Sequence, residues 1–146
     1  MRKKIIHNKV VAILFFLMIF GFKLNAESIL SIKDNYAKKP LKGMDTTAAY
    51  FEVINSSPKI IRLQDITCEG VKRVSFHKME IDPENKLMKM KSLKSIEVMP
   101  GSARKFKPMG EHLMMMGLED GFEEKSIVFC SLYANDNKIF WSFPLK

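Results

Sequence analysis

VKRVSFHKMEIDPENKLMKMKS, residues 71–92, contains two runs of strand-like composition on either side of a short turn sequence. The runs, at 71–79 and 86–92, place apolar side chains at alternating positions, which is typical of a β-strand. The intervening DPEN, residues 82–85, has Asp at the first turn position and Pro at the second, the order favoured in type I turns. The segment therefore predicts a β-hairpin.

Short runs of the same kind recur along the chain, rich in Ile, Val, Phe, Tyr and Thr, and no long helical period is present. Strands are predicted at residues 28–37, 46–54, 59–67, 71–79, 86–92, 103–108, 111–117, 126–134 and 137–144. Turn sequences such as NSSP, MPGS and AND separate them. Many short strands at regular spacing favour an all-β antiparallel sandwich or barrel.

Residues 1–26 have the features of a secretory signal peptide. MRKK gives a positive start, the apolar run 10–22 is shorter than the roughly 20 residues of a membrane-spanning helix, and Ala26 suits signal-peptidase cleavage. The alternative is an uncleaved anchor. The residue directly after the predicted cleavage point is Glu27 and not a cysteine, so a lipid-anchored form is not expected. Residues 27–146 are predicted to form a single domain without a membrane span.

The basic character of the chain resides largely in that signal peptide. The whole sequence has a formal net charge of +8, with 24 basic and 16 acidic residues. Five of the basic residues and none of the acidic ones lie within residues 1–26, which leaves the domain at about +3. This small excess gives no reason to expect nucleic-acid binding.

Two cysteines, Cys68 and Cys130, lie inside predicted strands. An exported protein can form disulfides, and a bridge here would close a loop of about 60 residues. Two buried free thiols fit the same pattern, so the sequence leaves both states open. Neither cysteine belongs to a CxxC motif, so a redox-enzyme role is not expected.

Both histidines that follow the signal peptide lie in predicted strands beside methionines. Period two places these side chains on common faces: His77 with Met79, Met88 with Met90, and His112 with Met114 and Met116. A hairpin centred on residues 82–85 would pair His77 with Met90 and Met79 with Met88. If a third strand brought His112 and Met114 to the same face, two imidazoles and two thioethers would converge.

Such a donor set is selective. Thioether sulfur is soft and imidazole is borderline, so the set suits Cu(I) better than Zn²⁺, Mg²⁺ or Ca²⁺. Uncharged ligands leave the bound ion at +1, which suits a protein that hands the metal onward. The alternative interpretation is structural. Lys78 and Lys89 alternate with the methionines, so the lysine face would be solvated and the methionines would be core or rim residues.

The chain resembles the periplasmic copper chaperones of the PCu(A)C family. Their motif is a histidine with a nearby methionine, ten residues, a methionine, twenty-one residues and then His-x-Met. Here ten residues separate Met79 from Met90, and twenty-one separate Met90 from His112-Leu113-Met114. KFKPMGEHLMMMGL (105–118) and TTAAYFEV (46–53) also resemble family segments.

The resemblance implies a cupredoxin-like antiparallel Greek-key β-sandwich that holds one Cu(I) near its surface. By position, the ligands would be His77, Met90, His112 and Met114. Family members supply copper for the binuclear CuA site of cytochrome c oxidase subunit II, alongside Sco-type proteins. The resemblance therefore implies a periplasmic metallochaperone with those partners.

This chain departs from the family pattern in three ways. The loop around residues 82–85 is two residues longer than usual. Because two is an even number, the insertion keeps each strand residue on the same face of the sheet. Met109 replaces a common glycine, and Glu111 replaces a common aromatic residue. Alternation places Glu111 on the face opposite His112, so it is not expected to be a ligand. The C-terminus has no histidine, so a single copper site is expected.

Other functions remain open at this level. The same ligands could sequester copper for tolerance without a dedicated acceptor. A β-sandwich interaction module with core methionines would show no copper-dependent stabilisation. An enzyme is not expected, because no histidine outside the motif is available to form the usual nucleophile–base pair in the domain.

Overall fold

The computed structural model describes residues 29–146. Within this range the chain forms ten β-strands, most of which alternate buried and exposed side chains, and one short 3-10 helix (Phe122–Glu124). The strands are β1 (Leu30–Ala37), β2 (Thr46–Asn55), β3 (Ile61–Cys68), β4 (Val71–Ile81), β5 (Met88–Leu93), β6 (Ile96–Val98), β7 (Ala103–Phe106), β8 (Glu111–Leu118), β9 (Ile127–Ala134) and β10 (Asn137–Pro144). The predicted signal peptide, residues 1–26, lies outside the described residues. No helix from residue 29 onward is long and apolar enough to cross a membrane.

All nine predicted strands are present, and their ends agree with the prediction to within about two residues. The sequence does not predict β6, because three residues are fewer than the four to eight from which alternation can be recognised. β6 pairs with β3, where Ile61 lies opposite Val98.

The strands form two sheets. One has the order β1-β2-β8-β4-β5, with β7 also paired to β2, and the other has the order β10-β9-β3-β6. All pairs between these strands are antiparallel. Strands distant in sequence are neighbours in both sheets, so the connections cross between them. The predicted antiparallel β-sandwich is confirmed.

The core between the sheets fixes the position of β2 and β8. Phe51 and Val53 on β2 and Leu113 and Met115 on β8 are at most 2% exposed. Burying a side chain of this size stabilises the fold by about 1.5–3 kcal/mol. Because period two sends alternate residues to the opposite face, this anchoring also fixes the outward side chains of the same strands.

Cys68 and Cys130 form a disulfide in the second sheet. The two residues lie directly opposite each other on β3 and β9. This resolves the alternative that the sequence leaves open. The bridge joins residues 62 apart and restricts the unfolded chain, which stabilises the fold by about 4 kcal/mol in the chain-entropy model.

The β4–β5 hairpin forms where the sequence predicts it, but in a different register. Ile81 pairs with Met88, and six residues (82–87) form the connection. The Asp82 N–H donates to the Leu87 carbonyl at 2.8 Å, and Lys86 adopts a left-handed conformation with φ 60°. The sequence predicts a turn that ends at Asn85, with strand pairing resuming at Lys86. The extra turn residues therefore shift the pairing by two positions.

Candidate metal centre

The two histidines of the domain are direct neighbours on the outer face of the larger sheet. His77 on β4 lies opposite His112 on β8. Their rings are close to parallel, with centroids 5.9 Å apart and an interplanar angle of 29°. Phe76 on β4 and Leu113 on β8 are buried in the core, so alternation places each histidine on the outward face. The adjacency of β4 and β8 then brings the two rings together.

Met114 lies beside this pair. It is two residues from His112 on β8, so it is on the same face, and it is opposite Ser75 on β4. It is therefore the diagonal neighbour of His77, a relationship in which Cβ atoms are about 7–8 Å apart or less and long side chains can meet. Met115, between His112 and Met116 in the HLMMM sequence, points inward and is fully buried.

Met90 is on the same face, but its predicted pairing with His77 is wrong. Met79 lies opposite Met90, and Ser92 lies opposite His77. The cause is the longer turn, which moves β5 by two residues and preserves parity. Met90 is now diagonal to His77, and its side chain is 50% exposed. The structure thus places all four predicted ligands on one face of three adjacent strands.

The hydrogen bond of His112 determines which of its nitrogens is free. Its Nδ1 lies 3.1 Å from the carbonyl oxygen of Gly110. A carbonyl only accepts, so Nδ1 carries the hydrogen and donates it. The Nε2 lone pair of neutral His112 is therefore available to a metal. Orientation of a ligand imidazole by a backbone carbonyl is common in metal sites.

His77 is held by a neighbour on its own strand. The hydroxyl of Ser75 lies 2.8 Å from His77 Nε2, and the buried Nδ1 has no hydrogen-bond partner within residues 29–146. Burial, the adjacent His112 ring and the Arg73 guanidinium lower the pKa of His77. The ring is therefore neutral near pH 7, the state in which imidazole binds metals.

An aromatic wall closes the other side of His112. Tyr50 on β2 has its ring centroid 6.5 Å from that of His112, and Tyr36 follows on β1 at 5.4 Å from Tyr50. His112 is only 6% exposed as a result. Burial and the nearby Tyr36 raise the pKa of Tyr50, so its phenol is protonated at neutral pH.

Met116 belongs to a different environment from Met114. Arg73 lies opposite it, and the guanidinium Nη2 is 3.5 Å from the Met116 sulfur. The Met116 thioether accepts a weak hydrogen bond from Arg73, and the guanidinium charge disfavours a metal cation bound to the same sulfur. This arrangement separates Met116 from the four predicted ligands.

Glu111 faces away from the histidines, as the sequence predicts. Its carboxylate accepts two hydrogen bonds from Arg104, at 2.6 and 2.7 Å. A bidentate pair of this kind holds both side chains in a single geometry. Glu111 therefore supports the junction of β7 and β8.

Ser75 and Tyr50 both contact ligand candidates and are not among the residues predicted from the sequence. Ser75 is two residues from His77, so period two already places it on the same face. Tyr50 can be placed on the outer face by the alternation of TTAAYFEV, but its proximity to His112 requires knowing that β2 pairs with β8.

The fold is similar to that of several solved domains. The "Copper-bound PCuAC domain from PmoF2" matches with a TM-score of 0.67 at 17% identity, covering 82% of this chain and 93% of that one. The "Apo PCuAC domain from PmoF1" matches with a TM-score of 0.66 at 11% identity, covering 82% and 94%. Apo-DR1885 from Deinococcus radiodurans matches with 0.57 at 20% identity, covering 83% and 81%. The fold is therefore the predicted cupredoxin-like β-sandwich.

Sequence comparison gives the family. No curated protein matches the chain. Residues 30–138, most of the domain, match the family described as "Putative lipoprotein LpqE-like". The chain belongs to the LpqE-like family.

Proposed function

We propose that this protein is an exported metallochaperone that binds one Cu(I) through His77, His112, Met114 and Met90. The observation that carries the proposal is the opposition of His77 and His112, with a methionine diagonal to His77 on each flanking strand. Two neutral imidazoles and two thioethers form a soft, uncharged donor set, which favours Cu(I) over harder divalent ions.

Similarity to solved PCuAC domains supports the proposal, since one of them contains bound copper. The exposure of Met90 supports a transfer role, because an acceptor can reach this ligand from the edge of the sheet. Export is supported by the predicted signal peptide, cleaved near Ala26, and by the lipoprotein description of the family. We place the mature protein in the periplasm.

The proposed destination of the copper is the CuA site of cytochrome c oxidase subunit II, and Sco-type proteins are proposed to take part in the same delivery. This step rests on the resemblance to PCu(A)C chaperones. It predicts that a deletion strain loses oxidase activity and regains it with added copper. If the strain instead keeps oxidase activity and becomes copper-sensitive, sequestration is the function.

The site itself is tested by Cu(I) competition titration with a chromophoric chelator. We expect His112→Ala/Met114→Ala to weaken Cu(I) binding by more than about 100-fold, which corresponds to about 2.7 kcal/mol. Met99→Leu is the matched control, because Met99 is an exposed methionine in the turn between β6 and β7. Unchanged affinity in the double variant would refute this ligand assignment.

A further inference from the structure

Three methionines line the outer face of the β4–β5 hairpin beyond the histidines. Met79 lies directly opposite Met90, and Met88 lies opposite Ile81, which makes Met88 the diagonal neighbour of Met79. Met88 is 44% exposed and Met90 is 50% exposed. We refer to Met79, Met88 and Met90 as the thioether rim.

The rim is not part of the core. The opposite face of the hairpin carries charged side chains that pair with one another, with Glu80 3.0 Å from Lys78 and 3.8 Å from Lys91. Both faces of the hairpin tip therefore meet solvent, so these methionines contribute little to folding. The alternative in which the methionine face points inward is wrong for this hairpin.

The spacing of the rim suits a soft cation. Directly opposed residues have Cβ atoms about 4.5–5.5 Å apart, and diagonal pairs are within reach of long side chains. Methionine has three rotatable bonds beyond Cα, so sulfur atoms on such positions can converge on one ion. Thioethers bind Cu(I) and Ag(I) without releasing a proton.

Met90 belongs to both sets, because it is diagonal to His77 and opposite Met79. β5 is an edge strand of its sheet, so the rim is the part of the site that a partner can approach from the side.

We propose that Met79, Met88 and Met90 form a second, all-thioether position for a soft monovalent cation, contiguous with the histidine site through Met90. The inference rests on the proposed function, in which copper must leave the site. The ion moves by ligand exchange: Cu–S bonds to Met79 and Met88 form as the Cu–N bonds to the two histidines and the Cu–S bond to Met114 break, and the bond to Met90 is kept throughout. The copper remains Cu(I), and each imidazole keeps its lone pair as a neutral ring.

The direct test uses Ag(I) as a redox-inert probe with methionine ε-methyl groups labelled with carbon-13. In His77→Ala/His112→Ala, the histidine site is removed and the rim is intact. We expect Ag(I) to shift the methyl resonances of Met79, Met88 and Met90 together. If the Met79 and Met88 methyl groups do not shift on Ag(I) addition, the rim is not a binding position.

A second variant set measures the contribution of the rim to transfer. Met79→Leu/Met88→Leu should hold Cu(I) within about threefold of wild-type affinity and release it to a competing chelator about tenfold more slowly. Leucine keeps nearly the same volume without the sulfur, and these positions are partly or largely exposed, so folding is preserved. Met99→Leu is the control. An unchanged transfer rate would overturn the relay role.

The two proposals fail in different ways. If the histidine site is wrong, His112→Ala/Met114→Ala leaves Cu(I) affinity unchanged. If only the rim is wrong, that variant loses affinity, and both the Ag(I)-induced shifts of Met79 and Met88 and the rate effect are absent.

Discussion

His77 and His112 face each other across neighbouring strands, with ring centroids 5.9 Å apart. Each ring has a separate hydrogen-bonded support, Ser75 for His77 and the Gly110 carbonyl for His112. The pair is thus held before any metal arrives. A preorganised site loses less side-chain freedom on binding.

Met114 and Met115 should respond in opposite ways to substitution. Met115 is fully buried, so Met115→Ala should lower the free energy of unfolding by about 2–5 kcal/mol. Met114 faces outward beside the histidines, so Met114→Ala should cost less stability and weaken Cu(I) binding by at least about tenfold. Urea unfolding and Cu(I) competition measure the two effects. Equal effects on both properties would contradict the assigned faces.

Ser75 is expected to position His77 for binding. Removing the hydroxyl in Ser75→Ala frees the ring, and we expect Cu(I) affinity to fall by about tenfold, as is typical for the partner of a metal ligand. Ser75→Thr keeps the hydroxyl and should restore most of the affinity. A rise in affinity in Ser75→Ala would instead show that the serine competes with the metal for Nε2.

Metal binding to His112 should occur through Nε2. Because Nδ1 donates to Gly110, the neutral ring is expected to be the Nδ1–H tautomer before metal is added. Nitrogen-15 spectra of the imidazole should show this tautomer in the metal-free protein and a shift mainly at Nε2 with Ag(I). A metal-induced shift at Nδ1 would contradict the assignment.

The stability of the metal-free protein should decrease in mild acid. Burial, His112 and Arg73 lower the pKa of His77 in the folded state, so between the two pKa values the unfolded chain binds more protons. The contribution is fully present above the unfolded value of about 6.5 and is lost as the pH falls through the folded pKa. Urea unfolding from about pH 7.5 to 5 should therefore show a smaller decrease for His77→Gln than for the wild type. Identical decreases would contradict this origin.

The disulfide should stabilise the fold without affecting the metal centre. Cys68→Ala/Cys130→Ala is expected to lose about 4 kcal/mol of unfolding free energy, because it removes a link that closes a long loop. The bridge lies in the other sheet, so Cu(I) affinity should be unchanged. The wild type in reducing buffer is a second measurement of the same loss. A large change in affinity would indicate coupling between the sheets.

Strand positions could be predicted from the sequence because alternation and turn residues are local signals. Alternation gives the residues that share a face within one strand, such as His112 with Met114. The four ligand candidates lie on one side of the sheet because β8, β4 and β5 are neighbours in it. The pairing of His77 depends on the length of the turn. That length could not be predicted, because Lys86 adopts a positive φ, a conformation that is uncommon for lysine.

Contacts between distant strands carry no comparable local signal. The disulfide depends on β3 lying beside β9, and the Tyr50–His112 contact depends on β2 lying beside β8. Both follow from the order of strands in the sheets, which is a property of the whole chain. Alternation along a strand shows which side chains could make such contacts, but it does not show which strand lies beside them.

The measurement that tests the central claim most directly is the X-ray absorption spectrum of the protein loaded with one equivalent of Cu(I). The proposed site predicts two imidazole nitrogens and two thioether sulfurs around the metal. The rim position alone would give sulfur neighbours without imidazole. A spectrum that shows only nitrogen and oxygen neighbours would contradict the convergence of His77, His112, Met114 and Met90 on one ion.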